Sequence, residues 1–178
     1  RGDGDLFVFS TDPDLMNGID PERISISRKA AIEKLGKPLA KYENARNWCI
    51  VAVPTVKWAK KVFPGVSEAE AMEKLWDAIF KACRIDTADP IEEWKRHTAR
   101  LEKYKTYLDV KHYAALHYTA PGTDLTLGLP AAHQWGGAQE TFENGITNTV
   151  NVPTEEVFTS AHMYKADGFV KATRPLNL

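Results

Sequence analysis

The segment Asn151–Leu178, NVPTEEVFTSAHMYKADGFVKATRPLNL, places two adjacent carboxylates, Glu155 and Glu156, in a run whose other residues are typical of a β-strand. Acidic residues are poor strand formers. Successive side chains of a strand face opposite sides, so at most one of the two carboxylates can project into a given cleft. A carboxylate that faces inward needs a cation, because an unpaired buried charge costs several kcal/mol. A divalent metal is one such partner, and an exposed edge strand with two solvated charges is the alternative.

The composition bounds the class of protein. The chain has 178 residues, enough for one large domain or two small ones, and its net charge of -1 gives no electrostatic argument for nucleic acid or a membrane as partner. Cys49 and Cys83 each lie in an apolar pattern, which is typical of reduced thiols in a cytoplasmic protein. The sequence contains neither a run of 18 apolar residues nor a signal peptide. Both ends have the character of a piece of a longer protein, so targeting signals beyond them stay open.

The first half alternates strand and helix patterns, which predicts an α/β unit. The strands are predicted at 5–10 and at 47–54, and the second, NWCIVAVP, is apolar enough to be covered on both faces. The predicted helices are 21–35, ended by Gly36 and Pro38; a short one capped by Thr55; one capped by Ser67; and one capped by Asp89. The last of these has a narrow apolar stripe of Ile91, Trp94, His97, Leu101 and Tyr104.

The second half is rich in short β-like runs, which predicts a β-rich α+β portion. Residues 112–120 and 124–130 are joined by a Pro-Gly turn signal and are predicted to form a hairpin or two consecutive strands. Residues 133–148 are predicted to be a long loop or a broken hairpin, and 155–161 and 167–176 to be further strands. We therefore divide the chain into an α/β portion, 1–105, and a β-rich portion, 106–178.

The histidines offer no metal-binding motif. His97 lies on the inner face of its helix and is predicted to be a satisfied core side chain. His112 and His117 would face opposite sides of one strand. His133 and His162 occupy loop-like segments, where surface positions are expected.

Several motifs together resemble the M29 metalloaminopeptidases. They are NWCIVAVPTVKWAKKVFPG (47–65), EAMEKLWDAIFKACRIDTADPIEEWKRH (70–97), APGTDLTLGLPAAHQWGG (120–137) and NVPTEEVFT (151–159). The resemblance implies a two-domain, cytoplasmic exopeptidase, usually a homodimer, that releases the amino-terminal residue of peptides with two divalent metal ions, zinc, cobalt or manganese. The usual VFTAP is VFTSA here, so the loop after Phe158 departs from the family pattern.

The same resemblance assigns Glu156 as the first metal-binding glutamate and leaves Glu155 as its neighbour. The family's other ligands are expected beyond the T-[KR]-P-L segment at 173–176, so no catalytic residue is assigned in this chain and the 178 residues alone are expected to be inactive. One alternative is a non-catalytic binding or scaffold module with Glu156 as a structural carboxylate. Another is a flavodoxin-like ligand-binding domain, which rests only on the strand-helix alternation.

Overall fold

The computed structural model describes residues 4–173 apart from the side chains of 42–45, and the part of the T-R-P-L ending after Thr173 lies outside the described residues. The elements are β1 (Gly4–Phe9), α1 (Pro21–Ala45), β2 (Asn47–Ala52), α2 (Val56–Val62), α3 (Glu68–Ala82), α4 (Pro90–Lys111), β3 (Ala115–Ala120), β4 (Thr123–Gly128), β5 (Gln139–Thr141), β6 (Thr147–Thr149), β7 (Asn151–Val152) and β8 (Ala166–Val170). The predicted α/β class is confirmed. Among the described residues, no helix combines the length and apolar character that a membrane crossing requires.

The chain divides into two compact units. One comprises the chain up to Thr98 together with Ala138–Glu155, and the other comprises Ala99–Gly137 together with the chain from Glu156 onward. The sequence-based division into 1–105 and 106–178 stays a prediction, because compact units in this chain do not define the domains of a longer protein.

A parallel sheet of order β1-β2-β7 lies in the first unit. The predicted strand at β2 is confirmed as the central strand, but the prediction that it is covered on both faces is wrong for this chain. Ile50 of β2 is 36% exposed, and Leu6 and Phe9 of β1 are 64% and 56% exposed. Apolar composition indicates that a strand suits a buried position, whereas the actual cover depends on which elements pack on it.

The helix caps of the first unit follow the sequence signals. Thr55 accepts a hydrogen bond from the Trp58 amide at 3.1 Å, and Ser67 accepts one from the Glu70 amide at 3.2 Å. These contacts satisfy amide groups that have no partner inside their own helices. The apolar cluster beside them packs α2 against α3 and contains Ala59, Ala71 and Leu75, with Trp58, Phe63, Val66, Met72 and Ile79 around them.

Helix α1 runs further than predicted. Its N-cap Asp20 accepts from the Glu22 amide at 2.9 Å, but the helix continues through Gly36 and Pro38 to Ala45. The predicted end near residue 35 is therefore wrong. A proline removes one intrahelical hydrogen bond without necessarily ending a helix, and the flanking alanine, leucine and lysine residues favour helix on both sides.

The apolar stripe of α4 is only partly buried. Asp89 caps this helix by accepting from the Glu92 amide at 3.0 Å, as predicted. His97 and Leu101 are 2% and 4% exposed, whereas Ile91 is 69% exposed. Tyr104, at the other end of the stripe, is also exposed, so the narrow stripe is buried only in its middle.

The predicted hairpins are present. In the second unit β3 and β4 pair antiparallel around a tight turn in which Gly122 has φ +82°, and β8 adds to β4 to give the order β3-β4-β8. In the first unit β5 and β6 form the broken hairpin predicted for 133–148.

The strand predicted at 155–161 is wrong. The sheet pairing of this segment ends with β7 at Val152, and Pro153, which has no N–H to donate, follows immediately. Between Pro153 and His162 only Phe158 makes a β-bridge, to Gly136. The two glutamates therefore lie in a loop, and the alternation of strand side chains does not apply to them.

Candidate functional site

The loop that carries the two glutamates begins with a buried residue. Thr154 is 7% exposed, and its carbonyl oxygen accepts a hydrogen bond from His97 Nε2 at 2.6 Å. The imidazole of His97 is itself buried and lies edge-on to the Trp94 ring, with centroids 5.5 Å apart. The prediction that His97 is a satisfied core side chain is confirmed.

Glu155 is held by an ion pair. Its Oε1 lies 2.6 Å from Arg84 Nη1, and its Oε2 lies 3.6 Å from His97 Nε2. The hydrogen bond that the Arg84 guanidinium donates to Glu155 raises the pKa of Arg84 above its usual value. The Arg84 side chain is 19% exposed, so this pair is more shielded on the arginine side than on the glutamate side, which is 58% exposed.

Arg84 is placed by the end of α3 and the start of α4. It follows the C-cap residue Cys83 and has φ +55°, in the left-handed region that few residues other than glycine adopt. The guanidinium lies 5.8 Å from the centre of the Trp94 ring, and Trp94 Nε1 donates to the Cys83 carbonyl oxygen at 2.8 Å. We call Arg84, Trp94, His97, Thr154 and Glu155 the anchor cluster; all five lie in the first unit.

Glu156 has a different environment. Its side chain is exposed, and it makes no hydrogen bond or ion pair with the parts of 4–41 and 46–173 that the structure describes. The prediction that strand geometry separates the two carboxylates is wrong, and they differ instead in their contacts. Glu155 is paired with a cation, and Glu156 is available to a ligand. Its assignment as a metal ligand stays a prediction.

The described residues do not assemble a metal site by themselves. Among the side chains described in 4–41 and 46–173 there is no group of three or more histidine, cysteine, aspartate or glutamate residues that could hold a metal ion. Protein-bound zinc needs three or four protein ligands. A lone carboxylate at Glu156 does not fit a dinuclear centre on its own, so no chemical step through a metal is derived from these residues.

Two histidines lie together elsewhere in the second unit. His112 follows the end of α4 with φ +45°, and its ring stacks on that of His133, with centroids 4.5 Å apart and planes at 12°. The placement of His112 on a strand opposite His117 is therefore wrong. His133 is 8% exposed, so its predicted surface position is also wrong, and its Nδ1 donates to the Pro130 carbonyl oxygen at 2.8 Å.

The remaining histidines and the cysteines take ordinary places. His162 is half-buried, and its Nδ1 accepts from the Tyr164 amide at 3.2 Å. His117 lies on the exposed surface 2.7 Å from Asp124 Oδ1. Cys83 is buried, Cys49 is half-buried, and both are free thiols.

Arg84 is a residue that no sequence motif pointed to. Arg84 and Glu155 lie far apart in the chain, and neither residue type at its position carries a pairing signal. The only local hint was that Arg84 directly follows the apolar stripe of a well-capped helix, where basic side chains are common.

The chain is an α/β fold in which the buried Thr154 and the ion-paired Glu155 directly precede the exposed carboxylate of Glu156. Comparison with known proteins identifies the family of this chain. The family model described as thermophilic metalloprotease (M29) matches residues 1–178, and the chain belongs to that family. The confirmed resemblance extends over the whole sequence.

Individual relatives agree. The chain is 46% identical over 175 residues to aminopeptidase PepS of Streptococcus thermophilus, covering 97% of this chain and 42% of that protein. It is 44% identical over 177 residues to aminopeptidase AmpS of Bacillus subtilis, with the same coverage. Among solved structures it is similar to wild-type AmpT from Thermus thermophilus, with a TM-score of 0.84 and 39% identity over 98% of this chain and 43% of that one. The chain thus spans about 42% of the length of these curated relatives.

Proposed function

We propose that this chain is part of an aminopeptidase that hydrolyses the amino-terminal residue from peptides. The single observation that supports this most strongly is the M29 family match along the entire chain, residues 1–178. Relatives named aminopeptidases at 46% and 44% identity support the same activity. Because the chain spans less than half of those relatives, the proposal concerns the full-length protein.

Within this proposal Glu156 is the first metal ligand contributed by the chain. Its exposed side chain has no described partner, whereas the adjacent Glu155 is already paired with Arg84. A scaffold role for Glu156 as a structural carboxylate is less well supported, since Glu155 holds that role in this loop. Together with ligands that the rest of the full-length protein would contribute, Glu156 would help to hold two divalent ions (zinc, cobalt or manganese), which would polarise the scissile carbonyl and provide a hydroxide near neutral pH.

The 178-residue chain alone is expected to turn over peptides negligibly. Glu156 is the one ligand assigned to it, and a dinuclear site requires several more. Hydrolysis of leucine p-nitroanilide by the isolated chain with added cobalt or zinc would contradict this expectation.

The test of the function uses the full-length protein. Initial rates with leucine p-nitroanilide and metal content by mass spectrometry are compared for wild type, Glu156→Gln and Glu140→Gln. Glu140 is an exposed glutamate in β5 and serves as the matched control. Since even partners of metal ligands contribute about 10- to 100-fold, loss of the Glu156 carboxylate is expected to cost at least about 100-fold in rate and to lower metal content.

Two results would contradict the proposal at different levels. Wild-type rate and metal content in Glu156→Gln would remove Glu156 as a ligand while leaving the activity. No hydrolysis by the wild-type protein with zinc, cobalt or manganese would remove the aminopeptidase assignment and favour a non-catalytic module.

The cellular setting of the protein is part of the same proposal. We propose a cytoplasmic homodimer, supported by the family resemblance and by the free thiols of Cys49 and Cys83. Light scattering of the full-length protein during size-exclusion chromatography tests the dimer, and a mass of one chain would contradict it.

A further inference from the structure

We propose that a cavity in the second unit is a binding site for a free α-amino acid. The cavity has a volume of about 480 Å³, and its wall includes Lys105 and Asp109 of α4 with His133 and Trp135 of the segment after β4. All the residues that line it belong to the second unit. Its volume lies in the range of about 300–1,000 Å³ that is common for small-molecule sites. The choice of ligand rests on the proposed function, because a free amino acid is the product that an aminopeptidase releases.

Two buried nitrogens in the cavity wall have no hydrogen-bond partner among the described residues. They are His133 Nε2 and Trp135 Nε1, and each of these residues is 8% exposed. Folded proteins pair nearly all their buried polar side-chain atoms, so each exception calls for an explanation. A ligand that occupies the cavity supplies the missing partners.

The two nitrogens ask for opposite groups on that ligand. His133 Nδ1 donates to the Pro130 carbonyl oxygen at 2.8 Å, so the proton of the neutral ring lies on Nδ1 and Nε2 is an acceptor. The indole Nε1 of Trp135 can only donate. The ligand therefore needs a donor for His133 and an acceptor for Trp135.

The charged residues of the wall repeat this combination of donor and acceptor. Lys105 and Asp109 are both half-buried and lie four residues apart in α4, which places them on one face of the helix. Asp109 Oδ1 accepts from the Trp135 amide at 2.9 Å, which orients the carboxylate and leaves Oδ2 for a second donor. Lys105 Nζ lies 3.0 Å from Glu102, whose side chain is 57% exposed. An ammonium has three N–H groups, so Lys105 can bind a second anion beside this solvated partner.

A zwitterion satisfies all four groups at once. The α-ammonium of an amino acid donates to Asp109 and to His133 Nε2, and the α-carboxylate accepts from Lys105 and from Trp135 Nε1. Both nitrogens are covered in this structure, so these contacts need a small shift of the wall. The exposed side chain of Gln134, which also lines the cavity, can change rotamer to allow it. A bound water would pair the nitrogens but would give the two charges no role.

The experiment is isothermal titration calorimetry of the full-length protein with L-leucine. Leucinol lacks the carboxylate and N-acetyl-leucine lacks the ammonium, so each tests one end of the ligand. Asp109→Asn removes the charge but keeps the oxygen that accepts from the Trp135 amide, and Lys105→Met removes the cation. Lys103→Met is the matched control, because Lys103 is exposed and lies two residues earlier in α4, on another face. The melting temperature of each variant shows whether it is folded.

The wild-type protein is expected to bind leucine with a dissociation constant of about 1 mM or lower. Asp109→Asn and Lys105→Met each weaken binding at least about tenfold, since each loses a charge-assisted hydrogen bond. Leucinol and N-acetyl-leucine bind the wild-type protein at least about tenfold more weakly for the same reason. Lys103→Met keeps the wild-type affinity.

Three results would overturn the inference. Leucine held elsewhere in the protein would bind folded Asp109→Asn and Lys105→Met as tightly as the wild type. Equal affinities for leucine, leucinol and N-acetyl-leucine would show that the site does not recognise a zwitterion, even if a variant failed to fold. Absence of leucine binding by the wild-type protein would leave an ordered water as the partner of the two nitrogens.

Hydrolysis of leucine p-nitroanilide by the same protein separates this inference from the proposed function. An active protein with any of those three results loses the amino-acid site alone. An inactive protein whose leucine binding depends on Asp109 and Lys105 keeps the site and loses the aminopeptidase assignment.

Discussion

Replacement of His97 tests whether the anchor cluster depends on a hydrogen bond or on packing alone. His97 is 2% exposed, and its Nε2 is the donor to the carbonyl of Thr154, which is 7% exposed. In His97→Leu the side chain keeps a comparable apolar volume but cannot donate. The Thr154 carbonyl then loses its donor in a place that water reaches poorly.

The magnitude follows from two contacts. An unpaired buried acceptor costs about 1–3 kcal/mol. The edge-to-face contact with Trp94, at 5.5 Å between centroids, contributes about 0.5–1.5 kcal/mol. We therefore expect His97→Leu to lower the free energy of unfolding by about 1.5–4.5 kcal/mol.

His97→Gln is the matched variant. A glutamine amide nitrogen can occupy the place of the imidazole Nε2 and donate to Thr154, so only the ring contact is lost. The expected cost is about 1 kcal/mol. Ile91→Ala, on the same helix at a side chain that is 69% exposed, should change stability by less than about 0.5 kcal/mol.

The assay is urea denaturation of the full-length protein and its variants, followed by circular dichroism. The expected order of stability, from highest to lowest, is wild type, His97→Gln and His97→Leu. Equal unfolding free energies for the Leu and Gln variants, within about 0.5 kcal/mol, would show that the Thr154 hydrogen bond contributes nothing.

Two further predictions concern the second unit and the acid stability of the first. Gly168→Ala should destabilise the β4–β8 pairing by at least about 2 kcal/mol, because φ is +119° there and a Cβ would lie 2.0 Å from the Asp124 carbonyl oxygen. Gly145→Ala, with φ +80° but nothing within 4 Å, should cost less, and thermal melting of both variants checks this order. Asp12 has a pKa lowered by its hydrogen bond with Lys57, so its stabilising contribution is present above the usual carboxyl pKa and is lost as the pH falls through the lowered value. Lys57→Met should therefore flatten the fall in stability below about pH 4, and an unchanged pH profile would contradict the assignment.

Local signals were reliable where the chemistry is local. The caps at Thr55, Ser67 and Asp89 follow from a side-chain oxygen three residues before an amide that needs an acceptor, so nearby residues decide the outcome. The β3–β4 hairpin follows similarly from its Pro121–Gly122 turn.

Predictions failed where distant residues decide. The end of α1 was predicted too early from Gly36 and Pro38. The helix continues past them because the helix propensity of the flanking residues outweighs one missing hydrogen bond. His133 was placed on the surface because loop composition does not show that its ring stacks on His112. The segment after Pro153 has a strand-like composition, but among the described residues its only β-bridge is the one between Phe158 and Gly136.

The sequence by itself determined the α/β class, the family and the position of Glu156 within the family motif, because these depend on residue identities in order along the chain. Only the tertiary structure decided how the two adjacent carboxylates differ. Arg84 and Glu155 are distant in sequence and meet because α3 ends beside the loop that follows β7. An ion pair depends on distance in space, and no spacing in the sequence reports it. The question of why two glutamates lie together therefore has a structural answer: one is held by the protein, and the other is left available.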